Sequence, residues 1–164
     1  MASLGHVAIG MAAGRLHSKD RPVHWMGGFT LLSLAPDLDV FGFSLGVPYE
    51  HALGHRGASH SLLVALLGAA CALVQRRDRV RAAVLGVLVI ASHGLLDALT
   101  TGGLGVALLW PFTEARYFFP VRPIPVAPIG RGLLSARGAY VMAVEAALFS
   151  PLLLYALWPR RRMV

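Results

Sequence analysis

The sequence predicts an all-α protein, a polytopic membrane helix bundle of about four to five transmembrane helices plus a re-entrant or interfacial segment. It reads as a single integral membrane domain over residues 1–164. Three observations carry that expectation. Hydrophobic residues make up 56% of the chain and charged residues only 14%, against about 25% charged in soluble domains. The mean hydropathy is +0.64, and several apolar runs approach the ~20 residues that a helix needs to cross a bilayer. Arginine and lysine collect in short turns between those runs, as membrane topology requires. That placement accounts for the net charge of +7 without nucleic acid, and no nucleic-acid partner is expected.

The first run, from about Leu4 to Leu16, is short for a span, and Gly5, Gly10 and Gly14 permit close helix packing. No basic segment precedes it and His6 lies inside it, so a cleavable signal peptide is not expected. Arg15, Lys19 and Arg21 mark a basic turn. The second run starts near Pro22, a residue suited to a first helical turn, and ends at Pro36-Asp37-Leu38-Asp39. A mobile connection containing Gly42, Gly46, Pro48 and Gly54 leads to His55-Arg56-Gly57-Ala58-Ser59-His60-Ser61. There Gly57 gives the chain room to turn, and Ser59 or Ser61 caps the helix that follows.

The third run covers about Ser59 to Gln75, and its lone Cys71 reads as a small buried hydrophobe. Arg76, Arg77, Arg79 and Arg81 form the next basic turn. The fourth run, Ala82 to about Leu99, is apolar except for Ser92, His93 and Asp97. Leu104 to Phe112 is too short to span and reads as the re-entrant or interfacial piece. Four prolines between Phe118 and Gly130 make that stretch extended. The last run, about Ala139 to Trp158, ends on interface anchors Tyr155 and Trp158 and then Arg160-Arg161-Arg162. With five helices the three basic clusters share one side. The positive-inside rule makes that side cytoplasmic, with the N-terminus outside, although Arg116, Arg122, Arg131 and Arg137 fall on the opposite side.

Counted at 1.5 Å per residue from the nearest basic turn, Asp37, His60 and Asp97 all lie at ~24 Å. Glu145 lies at ~22 Å, His6 at ~20 Å and His93 at ~18 Å. Separate runs thus bring their ionisable residues to one depth, towards the outer edge of the bilayer. Such groups are costly in lipid and mark functional sites by default. His93 and Asp97, at i and i+4, share a helix face. With His6, Asp37, Asp39, His55 and His60 they make seven nitrogen and oxygen ligand candidates, a set suited to a divalent transition metal. Zinc is expected first, with manganese or iron as options and no thiolate to make a soft site. Seven ligands exceed the four of one zinc, so either two ions bind or some of the seven only orient the others.

Other readings stand beside this one. Taken alone, His93 and Asp97 fit a hydrogen-bonded pair equally well, and Pro36 to Asp39 fits a turn. His17, His24 and His51 read as surface or interface residues. Glu145 reads as a hydrogen-bond partner of a neighbouring helix, and Trp110, Phe112, Phe118 and Phe119 as an interfacial belt.

The order His6, Pro36-Asp37-Leu38-Asp39, His55-Arg56-Gly57-Ala58-Ser59-His60-Ser61, His93-Gly94-Leu95-Leu96-Asp97, Thr100, Gly102, Pro111-Phe112 resembles the YdjM-type family. These are bacterial and archaeal inner-membrane proteins, one branch of which is regulated by LexA. The resemblance spans about residues 6 to 112. It implies a multi-pass protein of the cell's inner membrane and a metal-dependent hydrolase, with the quoted His and Asp residues at its metal site.

The expected chemistry is hydrolysis by a metal-activated water. Arg56 would hold an anionic group, most naturally a phosphate, and a spare carboxylate, Asp39, would act as general base. The depth of the site points to membrane lipids and to a lipid or lipid-linked (phospho)ester substrate. Two rival classes use the same residues: a metal-ion or proton transporter, and a non-catalytic metal site that staples the helices through a closed shell of four ligands.

Overall fold

Glycine sets how α1 (Ser3–His17) packs. A Cβ at Gly10 or Gly14 would run into the backbone of Thr30 or Met26, and one at Gly5 would strike the Phe149 ring. These bare faces let α1 lie directly on α2 (Pro22–Leu34) and on α5 (Ala136–Leu157). The rest of the bundle is α3 (Leu62–Ala72), packed on α4 (Arg79–Ala98), which in turn contacts α1 and α2. Ala13, Phe29 and Val89 form the shared apolar centre, with Ile9, Trp25, Leu32 and Leu85 around them. The computed structural model describes residues 2–72 and 79–159. The Cys71 side chain, the start of the second basic turn and the arginine tail lie outside the described residues.

The protein is all-helical, with no strands among the described residues. Among the described residues, three stretches are long and apolar enough to cross a membrane: Pro22–Leu45, Val80–Ala98 and Ala136–Leu157. These are three of the four to five spans expected. α1 has 15 residues and α3 has 11 within the described range, short of the ~17–25 that a span takes.

The second run differs from expectation in a way that matters for the site. It does not end at Pro36 but tightens there into a 3-10 helix, Ala35–Leu45, so the connection expected to be mobile is half helical. Pro36 lacks an N–H and its ring clashes with the carbonyl four residues back, which an α-helix cannot accommodate and a tighter winding can. At three residues per turn, Asp37 and Asp39 point to different neighbours.

Residues 104–112, expected to be re-entrant or interfacial, contain turns and no helix. Their backbone bonds go elsewhere: Ala107 N donates to Arg56 O, and Leu108 O accepts from Leu62 N at the head of α3. The segment is thus a cover over the His55–Ser61 turn. Two isolated bridges, Thr100–Ile124 and Val106–Tyr117, hold the cover and the proline-rich stretch together. Gly103, at φ +90°, lets this cover pass where a side chain would hit the Arg56 guanidinium and the Tyr49 hydroxyl. Beyond it Phe112 is exposed and Phe119 partly so, as an interfacial belt requires.

His17 overturns its surface assignment. It is buried, its ring 4.1 Å from Trp25 and 5.8 Å from Phe29. The α1–α2 approach that the glycines permit closes over it.

Candidate metal centre

Asp37 comes from the 3-10 turn after α2, His60 from the short turn before α3, and His93 and Asp97 from one face of α4. All four are buried, and one ligand atom from each lies within 4.8 Å of the others. The spacing is tight. His60 Nε2 and His93 Nε2 are 3.0 Å apart. Asp37 Oδ1 lies 3.4 Å from His93 Nε2 and 3.6 Å from His60 Nε2, and Asp97 Oδ2 is 3.6 Å from His60 Nε2. Donors about 2.0–2.2 Å from a tetrahedral zinc stand about 3.3–3.6 Å from one another.

The hydrogen bonds around the two imidazoles assign their tautomers. His93 Nδ1 lies 2.6 Å from the Ser33 carbonyl oxygen, which can only accept, so Nδ1 carries the proton. Ser59 gives its single hydroxyl proton to Asp39 Oδ2 at 2.6 Å and therefore turns a lone pair to His60 Nδ1 at 2.9 Å. That nitrogen also faces Asp39 Oδ2 at 3.2 Å, so it too is a donor. With neutral rings, both Nε2 atoms then present lone pairs to the same point. Asp37 adds two oxygens that receive no hydrogen bond among the described residues. Four acceptors converge with no donor between them, and a proton bridging two leaves the other two facing each other. The set fits a divalent cation.

Asp39 and His55, also expected as ligands, lie beside this group and bond to each other. Asp39 Oδ1 accepts from His55 Nδ1 at 2.7 Å, and Oδ2 accepts from Ser59 and from Arg56 N at 3.2 Å. Through these bonds Asp39 orients His60 and His55. Asp39, His55 and His60 do form a second group of potential ligands. His55 approaches Asp37 Oδ1 only to 4.0 Å and is packed by the Tyr49 ring at 5.2 Å. Burial raises the Tyr49 phenol above its ordinary pKa, against the pull of Arg56, so it remains a neutral hydroxyl.

His6 lies flat on His93 with ring centroids 3.7 Å apart, and its Nε2 is 3.4 Å from Asp97 Oδ1. Its Nδ1 has no hydrogen-bond partner among the described residues. It borders the four-residue group without entering it.

Arg56 departs most from expectation. It is 1% exposed, and its Nε contacts Asp97 Oδ2 at 2.9 Å. Nη1 donates to Gly102 O at 2.7 Å and Nη2 to Thr100 Oγ1 at 2.9 Å. The anion beside it in this structure is the Asp97 carboxylate. Reaching it puts the Arg56 backbone at φ +63°, a left-handed conformation that costs a non-glycine residue ~1–2 kcal/mol.

Sequence reasoning missed Arg116, which was counted only for topology. Its guanidinium donates to the carbonyls of His55, Tyr49 and His51 at 3.0–3.1 Å and clamps the turn. Ser61, not Ser59, caps α3, accepting from Val64 N at 3.2 Å.

Glu145 makes the helix contact expected of it. From α5 its Oε2 accepts from Leu4 N at 2.6 Å and Gly5 N at 3.1 Å, the open N–H groups at the head of α1. The same helix end supplies Ala2 N to Asp97 Oδ1 at 3.1 Å. Glu145→Ala is expected to destabilise the protein by about 1.5–3 kcal/mol, the cost of losing hydrogen bonds to a buried charge. Thermal unfolding in detergent measures it, and Glu145→Gln, which keeps an acceptor oxygen, should recover part of the loss.

Comparison with known proteins matches this arrangement to one family. The family model of YdjM inner membrane proteins covers residues 1–163. The inner membrane protein YbcI of Escherichia coli K12 is 34% identical over 167 residues, spanning 96% of each chain. No solved structure matches. The chain therefore belongs to the YdjM inner membrane protein family, and its buried His/Asp group lies within the region that the family shares.

Proposed function

We propose that the protein is a metal-dependent hydrolase of the inner membrane, with Asp37, His60, His93 and Asp97 as ligands of a divalent transition metal, zinc first among the options. One observation carries the reading: with neutral rings, two imidazole lone pairs and two carboxylates face one point, all within 4.8 Å of one another and His60 Nε2 within 3.6 Å of the other three, with no donor among them. A divalent ion there supplies a Lewis acid and a nucleophilic water near neutral pH. The chain's own residues do the rest. Asp39 and Ser33 O hold His60 and His93 in the ligating tautomer, and Arg56 holds Asp97 against rotation. His6, buried beside Asp97 with one nitrogen unused, is polar equipment that four ligands alone do not require.

The substrate class follows from the rim. Leu38 and Phe41 are 62% and 66% exposed on the same 3-10 helix that carries Asp37 and Asp39. An apolar rim around a polar floor suits a lipid or lipid-linked ester. Purified protein should carry metal and, with zinc or manganese restored, hydrolyse a lipid ester or phosphoester. Metal-free protein after reconstitution would overturn the reading.

The helix-stapling reading has its own support, since four buried ligands complete a tetrahedron. Cobalt substitution separates the two. A five- or six-coordinate spectrum that responds to added anions fits the hydrolase, and an invariant tetrahedral one fits the staple.

With α1 and the α3 run also crossing, five in all, the basic clusters at 15–21, 76–81 and 160–162 share one side, and the site is proposed to face outward from it. Ser44→Cys in a Cys71→Ser background should then react with a membrane-impermeant maleimide in intact cells, and Ser18→Cys only after lysis. The reverse pattern inverts the topology.

A further inference from the structure

Four arginines, Arg116, Arg122, Arg131 and Arg137, run against the positive-inside count. The fold uses Arg116 to clamp the carbonyls of Tyr49, His51 and His55. The other three are exposed, and their guanidinium groups make no hydrogen bond or ion pair among the described residues. Arg122 lies over the Phe118 ring at 4.8 Å and Arg137 over the Tyr140 ring at 5.5 Å, contacts that hold a cation without neutralising it. No Asp or Glu occurs between Ala115 and Val144 to do so from nearby in the chain.

Two of these cations flank a fixed corner. Ser135 joins the 3-10 helix Gly130–Leu134 to α5: its hydroxyl donates to Gly132 O at 2.6 Å and accepts from Gly138 N at 3.2 Å. The Leu133 backbone rests against Gly138, which has no side chain to hold it off. Arg131 stands before the corner and Arg137 just after it. The stretch long and apolar enough to span begins at Ala136, so the corner falls where the hydrocarbon meets the headgroups. Leu134 is 91% exposed on the same corner, and Val121, beside Arg122 in the chain, is 72% exposed. Bare apolar side chains next to unpaired cations are costly in water. At a membrane surface the leucine enters the acyl region while the guanidinium groups reach the phosphates.

We propose that this corner binds anionic phospholipid headgroups, through Arg131 and Arg137 at the head of α5 and Arg122 from the proline-rich stretch, with Leu134 set among the acyl chains. Charge and place together decide the partner. A zwitterionic headgroup balances its own phosphate and leaves the arginines uncompensated. A soluble anion supplies the charge but leaves Leu134 in water. The surface also accounts for cations on the side that topology alone would leave poor in them. It stands whether or not the metal centre is catalytic.

Native mass spectrometry of the full-length protein in detergent, titrated with phosphatidylglycerol and phosphatidylethanolamine of the same acyl chains, tests the idea. The wild-type protein should prefer phosphatidylglycerol. Changing Arg122, Arg131 and Arg137 together to Gln should reduce that preference by roughly fivefold for each arginine that meets a headgroup. The matching triple Lys variant should keep it. All other arginines are the same in the three proteins, so the difference between them isolates this surface. The positions are exposed, and thermal unfolding should show wild-type stability in both variants. A spin label on Leu134→Cys, in a Cys71→Ser background and in phosphatidylglycerol vesicles, should be more accessible to oxygen than to a water-soluble nickel chelate. Unchanged phosphatidylglycerol preference in the Gln variant overturns the proposal, as does an equal loss in the Lys variant. A label at Leu134 that is open to the nickel chelate as in free solution overturns it as well.

Discussion

His60→Ala is expected to abolish metal binding, and Asp97→Asn to do the same, as measured by equilibrium dialysis and elemental analysis of the purified proteins. His60 is the hinge of the site. Its Nε2 faces Asp37, His93 and Asp97, while its Nδ1 faces Ser59 and Asp39. Removing the ring takes out a ligand and also strands the carboxylate behind it. The series should be graded. Asp39→Asn keeps every proposed ligand and loses only the orienting acceptor, so it should weaken binding by about 10–100-fold. His24→Ala should leave metal binding intact. His17→Ala should do so too, but at a cost in stability of about 2 kcal/mol, because its ring fills space between Trp25 and Phe29. Affinity should fall as pH falls, since protons compete for the two Nε2 lone pairs. Equal metal loss in His60→Ala and His17→Ala would overturn the ligand set.

The residues that converge were legible because lipid makes them conspicuous. An imidazole or carboxylate inside an apolar run is costly, so His6, His60, His93 and Asp97 stood out by residue type alone. Counting residues from the basic turns then brought them to one depth, and helical spacing put His93 and Asp97 on one face. Glu145 was assigned to a neighbouring helix on the same grounds, and that contact exists.

The division into ligands and supports was not legible. It depends on groups that leave no trace in residue type. The Ser33 carbonyl that orients His93 is backbone, and any residue there would supply it. Asp37 and Asp39 look equivalent in the sequence. They part company because Pro36 tightens the helix and sends them in different directions. Arg116 looked like a topology marker because arginine serves both purposes, and only the folded loop shows three carbonyls within its reach. His17 failed for a related reason. It stands next to a basic turn, but the close approach of α1 to α2 seals it in, and that approach depends on glycines seven and three residues earlier.

Arg56→Ala is expected to destabilise the protein by about 3–5 kcal/mol, the cost of breaking a buried ion pair from one side. The argument rests on where the guanidinium's donors go. Nη2 and Nη1 donate to Thr100 Oγ1 and the Gly102 carbonyl, while Nε stands in ion-pair contact with Asp97, all in a buried site. Arg56→Lys should recover little, since a single ammonium cannot keep both hydrogen bonds and the ion pair in those fixed directions. Arg56→Gly should be less damaging than Arg56→Ala by about 1 kcal/mol, because glycine accepts φ +63° without strain. Both losses should shrink when metal is bound, as the cation then balances the Asp97 charge that arginine no longer does. Had Arg56 been a substrate-binding residue, the pattern would differ. Stability and metal content would stay at wild-type values and only the KM for an anionic substrate would rise. Thermal unfolding of the three variants with and without chelator decides between the two roles.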